Sequence, residues 1–420
     1  MPYSLEQTTQ KHSHSIWLDG LSPSRDCLTE NKSSKIVIVG GSFTGLSTAY
    51  HLLLQGYLGS DISIIEKGYI GQEAGRSAGL LAKSTESNIL RYVYNFGEKE
   101  AKQVWESQRE GIELIVNTIK KHALKCGFES KGSRLYATKE ETAYLEEEAE
   151  ARNRFGFKVE IRHHPSLGEQ DTYLFDPSDC TINPAALCTE LSKYLEGEGV
   201  KIYENTKAYY ICNKATAIYS DHGILKADKI VLAGQRVPQQ FRKGGTSLPI
   251  ETYCLTTRRL RTAEIVSIGL HNRQIFWDSD IPFFYGKLTP DNRLLVGGGD
   301  LFLPLSKLFS KRKRKQLKDK LMEYFPQLSE EDINYEWSGI MHIKSDFLPV
   351  IGNDGNIFYA GTSAGIQHAV LSGKVVADKI AGKKTQYDTL FDPNRKVSPV
   401  PITEFGLLKN MKAYLHSLGF

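Results

Sequence analysis

The chain has 420 residues, 40% of them hydrophobic and 24% charged, with a formal net charge of +4. That is length enough for two domains around ample core, and too little charge to argue for a nucleic-acid or membrane-surface partner. No stretch nears the ~18 apolar residues that cross a bilayer. The N-terminus carries no apolar signal segment, and the six cysteines (Cys27, Cys126, Cys180, Cys188, Cys212 and Cys254) form no C-x-x-C pair. A zinc site or disulfide framework is therefore not expected, nor any other metal site, and a reducing, cytoplasmic setting is.

Residues 1–33 are rich in Ser, Thr, His and charge and read as an extension, with Trp17, Leu18 and Leu21 able to dock on the surface. From Lys35 the chain runs Lys-Ile-Val-Ile-Val-Gly-Gly-Ser-Phe-Thr-Gly, and after a link Asp-Ile-Ser-Ile-Ile-Glu-Lys ends at Lys67. A buried strand, a glycine turn, a helix and a second strand tipped by an acid form the order that an ADP-containing cofactor needs. Gly40 and Gly41 permit the sharp turn. The helix opening near Thr44 points free N–H groups and its positive dipole end at a pyrophosphate. Gly45 allows close helix–strand packing, and Glu66, about twenty residues on, is placed for the adenosine ribose. The middle glycine of G-x-G-x-x-G is replaced, so the fingerprint reads Gly40, Gly41, Ser42, Phe43, Thr44, Gly45. Ser42 adds a Cβ and hydroxyl where the backbone should approach phosphate.

A glycine-rich loop from Gly68 to Leu81 follows, then a helical pattern from Leu90 to His122. Gly132–Ala137 reads as a strand and Thr142–Phe155 as a helix with an acidic face. Asn183-Pro184 opens a helix through Leu195, Val200–Tyr203 reads as a strand, and Lys229–Gly234 closes this second βαβ-like stretch. Strand-like segments cover Thr252–Leu260, Gln274–Trp277, Pro282–Lys287 and Arg293–Val296, with turn chemistry from Thr289 to Arg293. The basic run 311–315 is the wet face of a helix rather than a nucleic-acid patch. Trp337 to Gly382 returns to strand–turn–helix, and His368, a turn inside that last helix, reads as a packed or surface histidine.

Four segments together resemble the FAD-dependent amine and amino-acid oxidoreductases, the group of D-amino-acid oxidase, glycine oxidase and sarcosine oxidase, over about residues 35–385. They are the Gly40–Gly45 turn with Glu66; Ile70–Gly79, similar to the family's I-G-x-G-A-S-G-R-N-x-G loop; Lys287–Asp300; and Asp346–Gly352 with Ile357–Gly365. In the second, Gly75, Arg76 and Gly79 match while Ser77 replaces an asparagine.

The resemblance implies an α/β fold: a Rossmann-like FAD-binding domain with an inserted α+β substrate domain on a mixed or antiparallel sheet. The domain pieces are then 34–87, 172–236 and 338–384 for FAD, and 88–171 and 237–337 for substrate, with a tail from 385 to 420. It implies cofactor contacts from Gly40 to Gly45, from Glu66 and Lys67, from Gly75, Arg76, Ser77 and Ala78, and from Gly234. The last contacts are Gly361, Thr362, Ser363, Ala364, Gly365 and Ile366, whose N–H groups would face the flavin C2 carbonyl and N1. This last loop is one residue shorter than the family's and lacks its histidine. FAD is expected to be non-covalent, since no cysteine follows Cys254 and no histidine lies near Arg76.

The reaction implied is oxidation of a C–N bond by hydride transfer to flavin N5, giving an imine and then an aldehyde or keto acid, with O2 or another carrier as acceptor. Trp277, Phe283, Phe284 and Tyr285 are pocket candidates, though strand core is an equal reading for each. Arg134, Arg258 and Arg293 are candidate carboxylate anchors. Two other readings stay open: a flavin-binding relative with a regulatory role, and the oxidase module of a tRNA-modifying enzyme.

Overall fold

Consecutive apolar residues at Ile36, Val37 and Ile38 suit a strand covered on both faces, and all three are buried. The computed structural model describes residues 14–84, 87–137, 142–167, 170–213, 216–234, 248–278, 284–344, 346–361 and 365–395. Phe283, Thr362, Ser363 and Ala364 lie outside these residues.

The strand is β1 (Lys32–Val39), followed by α1 (Phe43–Leu54), β2 (Ile62–Ile65), β3 (Leu80–Leu81), α2 (Ile89–Phe96) and α3 (Glu98–His122). Next come β4 (Ser133–Tyr136), α4 (Thr142–Arg154), β5 (Glu160–Leu167), β6 (Gln170–Asp176), β7 (Cys180–Thr181) and α5 (Pro184–Gly197). The chain continues through β8 (Lys201–Tyr203), β9 (Ala208–Cys212), β10 (Ala217–Ser220), β11 (Gly223–Ala233), β12 (Leu248–Arg259) and α6 (Thr262–Ser267). It ends with β13 (Ile275–Trp277), β14 (Tyr285–Leu288), β15 (Arg293–Phe302), α7 (Leu303–Tyr324), β16 (Ile333–Ile343), β17 (Val350–Asp354), β18 (Ile357–Gly361) and α8 (Ile366–Ile380).

Among the described residues the first sheet has the order β17-β18-β11-β1-β2-β8, with β10 and β9 extending it from β11. Strands β18, β11, β1, β2 and β8 run parallel. Their C-terminal ends define one edge, where an open α/β sheet binds its ligand. The second sheet, β16-β12-β15-β14-β13-β4-β6-β5, is antiparallel except where β4 meets β13. One face of it packs on α7, with Phe276, Phe284, Leu317, Leu321 and Phe325 in a common core. The other face turns towards the first sheet.

The pattern from Leu90 to His122 forms two helices, because Gly97 adopts φ +83 between them. Their apolar residues, Tyr92, Val104, Trp105 and Ile112 among them, join the core of the first sheet. Within 88–171, β4, β5 and the start of β6 join the second sheet while α2 and α3 pack on the first, since periodicity marks an apolar face but not which sheet covers it. On α4 the acidic face is exposed at Glu146, Glu147 and Glu150, with one acid turned inward. Glu148 is fully buried, pairs with Arg152 at 2.7 Å, and accepts the Ile89 and Leu90 amides at 2.9 and 3.0 Å, capping α2. On α7 the basic run is mostly exposed, with Lys313 turned inward.

Candidate cofactor and substrate site

Gly40 leaves β1 at φ +111, and a Cβ there would lie 2.3 Å from the Ala233 oxygen. Only glycine suits both constraints. A Cβ on Gly45 would lie 1.9 Å from the Gly40 oxygen, so the helix sits directly on the turn. Ser42 is the N-cap of α1 in extended backbone, φ −98 and ψ −165, and its hydroxyl makes no capping bond. This backbone tolerates a Cβ, and the hydroxyl is not spent on the helix. The Glu66 carboxylate accepts the Gly41 amide on one oxygen and the Gly68 amide on the other, both at 2.9 Å. The strand tip and the glycine turn are thus one unit. Lys67 is largely exposed, 3.4 Å from Glu73. An open cleft of about 500 Å³ is lined by Lys67, Gln72, Asn205 and Lys207.

The loop after β2 makes a 3-10 turn at Ala74–Arg76. Leu18 covers Gly75, where a Cβ would meet Leu18 Cδ2 at 2.6 Å. The Trp337 indole donates to the Arg76 oxygen at 3.1 Å, and Arg76 donates back to the Ser338 oxygen at 3.1 Å. Ser77 Oγ accepts the Gly79 amide at 3.2 Å, and Ala78 is buried. Lys287, fully buried on β14, donates to the oxygens of Gly79 (3.1 Å) and Ile182 (2.8 Å). Trp17 lies in the same cluster as Ala78, Ala185, Cys254, Leu295, Tyr335 and Trp337, so the N-terminal arm wedges between the two sheets. Tyr335 donates to Asp19, and Arg25 pairs with Glu204 and Glu196 at 2.9 and 2.7 Å. Sequence reasoning noticed Trp17 and Leu18 but assigned no site role to them, to Lys287 or to Trp337.

Val39 registers with Leu232, and Ala233 with Ala360, so Gly40, Gly234 and Gly361 leave the same sheet edge. Two strand spacings separate the first turn from the last, roughly 10 Å. Gly365 caps α8 at φ +82, and Ile366 is buried in its first turn. Gln367 donates to the Ala82 oxygen at 2.8 Å, tying α8 to the loop after β3. His368 is buried, 3.0 Å from Ser107 Oγ and edge-on to Phe391, as expected for a packed residue.

Trp277 and Tyr285 lie on the sheet face that meets the first domain, in one cluster with Ala82 and Leu80. Phe284 points the other way, stacked on Tyr324. Tyr285 rests on Gly297, with its hydroxyl 3.6 Å from Cys254 Sγ. Burial, then the neighbouring Cys254 and Asp300, raise its pKa well above 10.0, so the phenol stays protonated. The arginines differ from expectation. Arg258 is bound to Glu264 (2.8 Å) and Asp332 (2.7 Å) at the far end of β12. Arg134 lies behind the sheet, bonded to Gln274 and Tyr136. Arg293 pairs with Asp291 at 3.0 Å. Alternation along a strand assigns faces but not which face is the cleft.

These residues fit FAD: a turn that side chains would fill, an N-cap hydroxyl that makes no capping bond, and an acid held at the turn. The family described as DAO, FAD dependent oxidoreductase, matches residues 35–379, and the chain belongs to it. It is an FAD-dependent oxidoreductase. The chain is 28% identical to gamma-glutamylputrescine oxidoreductase of Escherichia coli (strain K12), over 91% of this chain and 93% of that one. Glycine oxidase from Geobacillus kaustophilus superposes with a TM-score of 0.70 at 20% identity, covering 87% of this chain and 100% of that one. L-amino acid deaminase from Proteus vulgaris gives 0.70 at 15% identity, over 89% and 99%. The last two likenesses bear on the fold. Among the described residues no helix is long and apolar enough to cross a membrane, and no acid, histidine and cysteine cluster could hold a metal.

Proposed function

We propose that this chain oxidises the C–N bond of a small amine or amino acid, with FAD held non-covalently. The observation that carries the reading is that the Gly40 turn, Glu66 and the Gly361 edge share one end of the first sheet while the Gly75–Gly79 loop packs against the second. When bound, FAD supplies the hydride acceptor. In this reading the amides around Gly41 and Ser42 bind the pyrophosphate, Glu66 orients the ribose, and Gly75–Ala78 and the first turn of α8 support the ring. Trp277, Tyr285 and Leu295 exclude water, and the low-dielectric wall favours the uncharged amine, whose lone pair is needed for oxidation.

With Arg134, Arg258 and Arg293 all engaged elsewhere, an amine gripped by its carbon skeleton is favoured over a substrate clamped by its α-carboxylate. The relative named for gamma-glutamylputrescine supports the same class. Six free cysteines are in keeping with a reducing, cytoplasmic setting. The test is an anaerobic screen of amines and amino acids against the purified yellow protein. Bleaching of flavin absorbance by amines is expected. A protein that stays yellow against every amine and amino acid would refute the reading, and flavin that stays on denatured protein would refute non-covalent binding.

A further inference from the structure

Among the described residues the amine of Lys287 has no carboxylate within bonding distance. Its partners are the carbonyls of Gly79 and Ile182, at 3.1 and 2.8 Å, and the face of Trp17, whose centroid lies 5.0 Å away. The Ile182 amide also donates to the Gly79 oxygen at 3.0 Å, so that one carbonyl takes two bonds. The amine leaves no room at Gly79: a Cβ there would lie 2.9 Å from Lys287 Nζ. One side chain from the substrate sheet therefore grips the last residue of the Gly75–Gly79 loop, with the N-terminal arm stacked on its other side.

We infer that Lys287 is a positioning residue for the cofactor, docking the Gly75–Gly79 loop onto the substrate sheet and setting a positive charge behind it. The inference rests on the reading that this loop supports the flavin ring. A neutral amine keeps two N–H donors, enough for both carbonyls, so the grip survives deprotonation and only the charge is lost. Burial brings the lysine pKa down to about 7, opposed by Glu129 and Cys254 and assisted by Arg273. The carbonyls and the Trp17 face favour the ammonium. A cation in a low-dielectric wall favours the more negative, reduced ring.

Two variants of the full chain separate grip from charge. Lys287→Met removes both and is expected to weaken FAD binding to the apoprotein by roughly tenfold or more, the worth of a buried charge-assisted bond. Lys287→Gln keeps two donors; it is expected to hold FAD within about threefold of wild type, a difference well under one such bond. It is also expected to show a lower flavin midpoint potential and to lose the inflection near pH 7 in a plot of potential against pH. Loss of packing alone would not move that inflection. Folded Lys287→Met that binds FAD like wild type, or Lys287→Gln with an unchanged potential profile, would overturn the inference. Neither readout needs turnover, so failure of the amine screen is a separate result.

Discussion

The Glu66 carboxylate and the Gly41 amide lie 2.9 Å apart, which locks the tip of β2 to the glycine turn. The same carboxylate holds Gly68, so one side chain orders both the glycine turn and the start of the loop after β2. Replacing it with alanine leaves two amides without an acceptor and, in the proposed reading, removes the ribose partner. For Glu66→Ala, FAD affinity measured by fluorescence titration of apoprotein is expected to fall roughly 10- to 100-fold. Glu66→Gln, which keeps one acceptor oxygen, should fall between.

Ser42 stands where a glycine is usual, yet its φ of −98 demands none. Ser42→Gly is therefore expected to change FAD affinity by less than about threefold and stability by only a few tenths of a kcal/mol. A tenfold gain in affinity on titration would mean that the serine obstructs the phosphate.

Trp17 reaches from the N-terminal arm into the cluster between the sheets. Trp17→Ala empties that space and is expected to cost about 3–5 kcal/mol in urea unfolding. Because Leu18 covers Gly75, the holo protein should also lose flavin at a lower temperature than wild type, read from the rise in free-flavin fluorescence.

Arg258 is bound on both sides by Glu264 and Asp332, which hold its pKa up against partial burial. Arg258→Ala should leave kcat/KM within about twofold, since a surface ion pair removed far from the cleft has little reach. A hundredfold loss in steady-state assays would return this arginine to the site.

Lys287 makes stability depend on pH. Its native pKa near 7 lies below the ordinary lysine value of 10.5, so between those limits the unfolded chain binds more protons than the native one. Stability therefore rises with pH across that window and is lowest below it, where both states are protonated. Denaturant unfolding at pH 6.5 and pH 9 should show a rise in wild type that is smaller in Lys287→Gln.

Much of this protein is local. A run of apolar residues, two glycines, a helix and a second strand tipped by Glu66 impose backbone conformations over some thirty residues, and these define a βαβ unit with a glycine turn whatever the remainder does. The glycine at 97 illustrates the limit: its residue type permits a break at φ +83, but equally permits a continuous helix, and packing decides. The choice of cleft face on the second sheet, the commitment of three arginines, the wedge of Trp17 and the grip of Lys287 on Gly79 all join residues far apart in sequence. Such contacts depend on which surfaces the two sheets press together, and no spacing along the chain encodes that. Residue types determined the glycine turn and the strand that follows it; tertiary packing decided which side chains press against them.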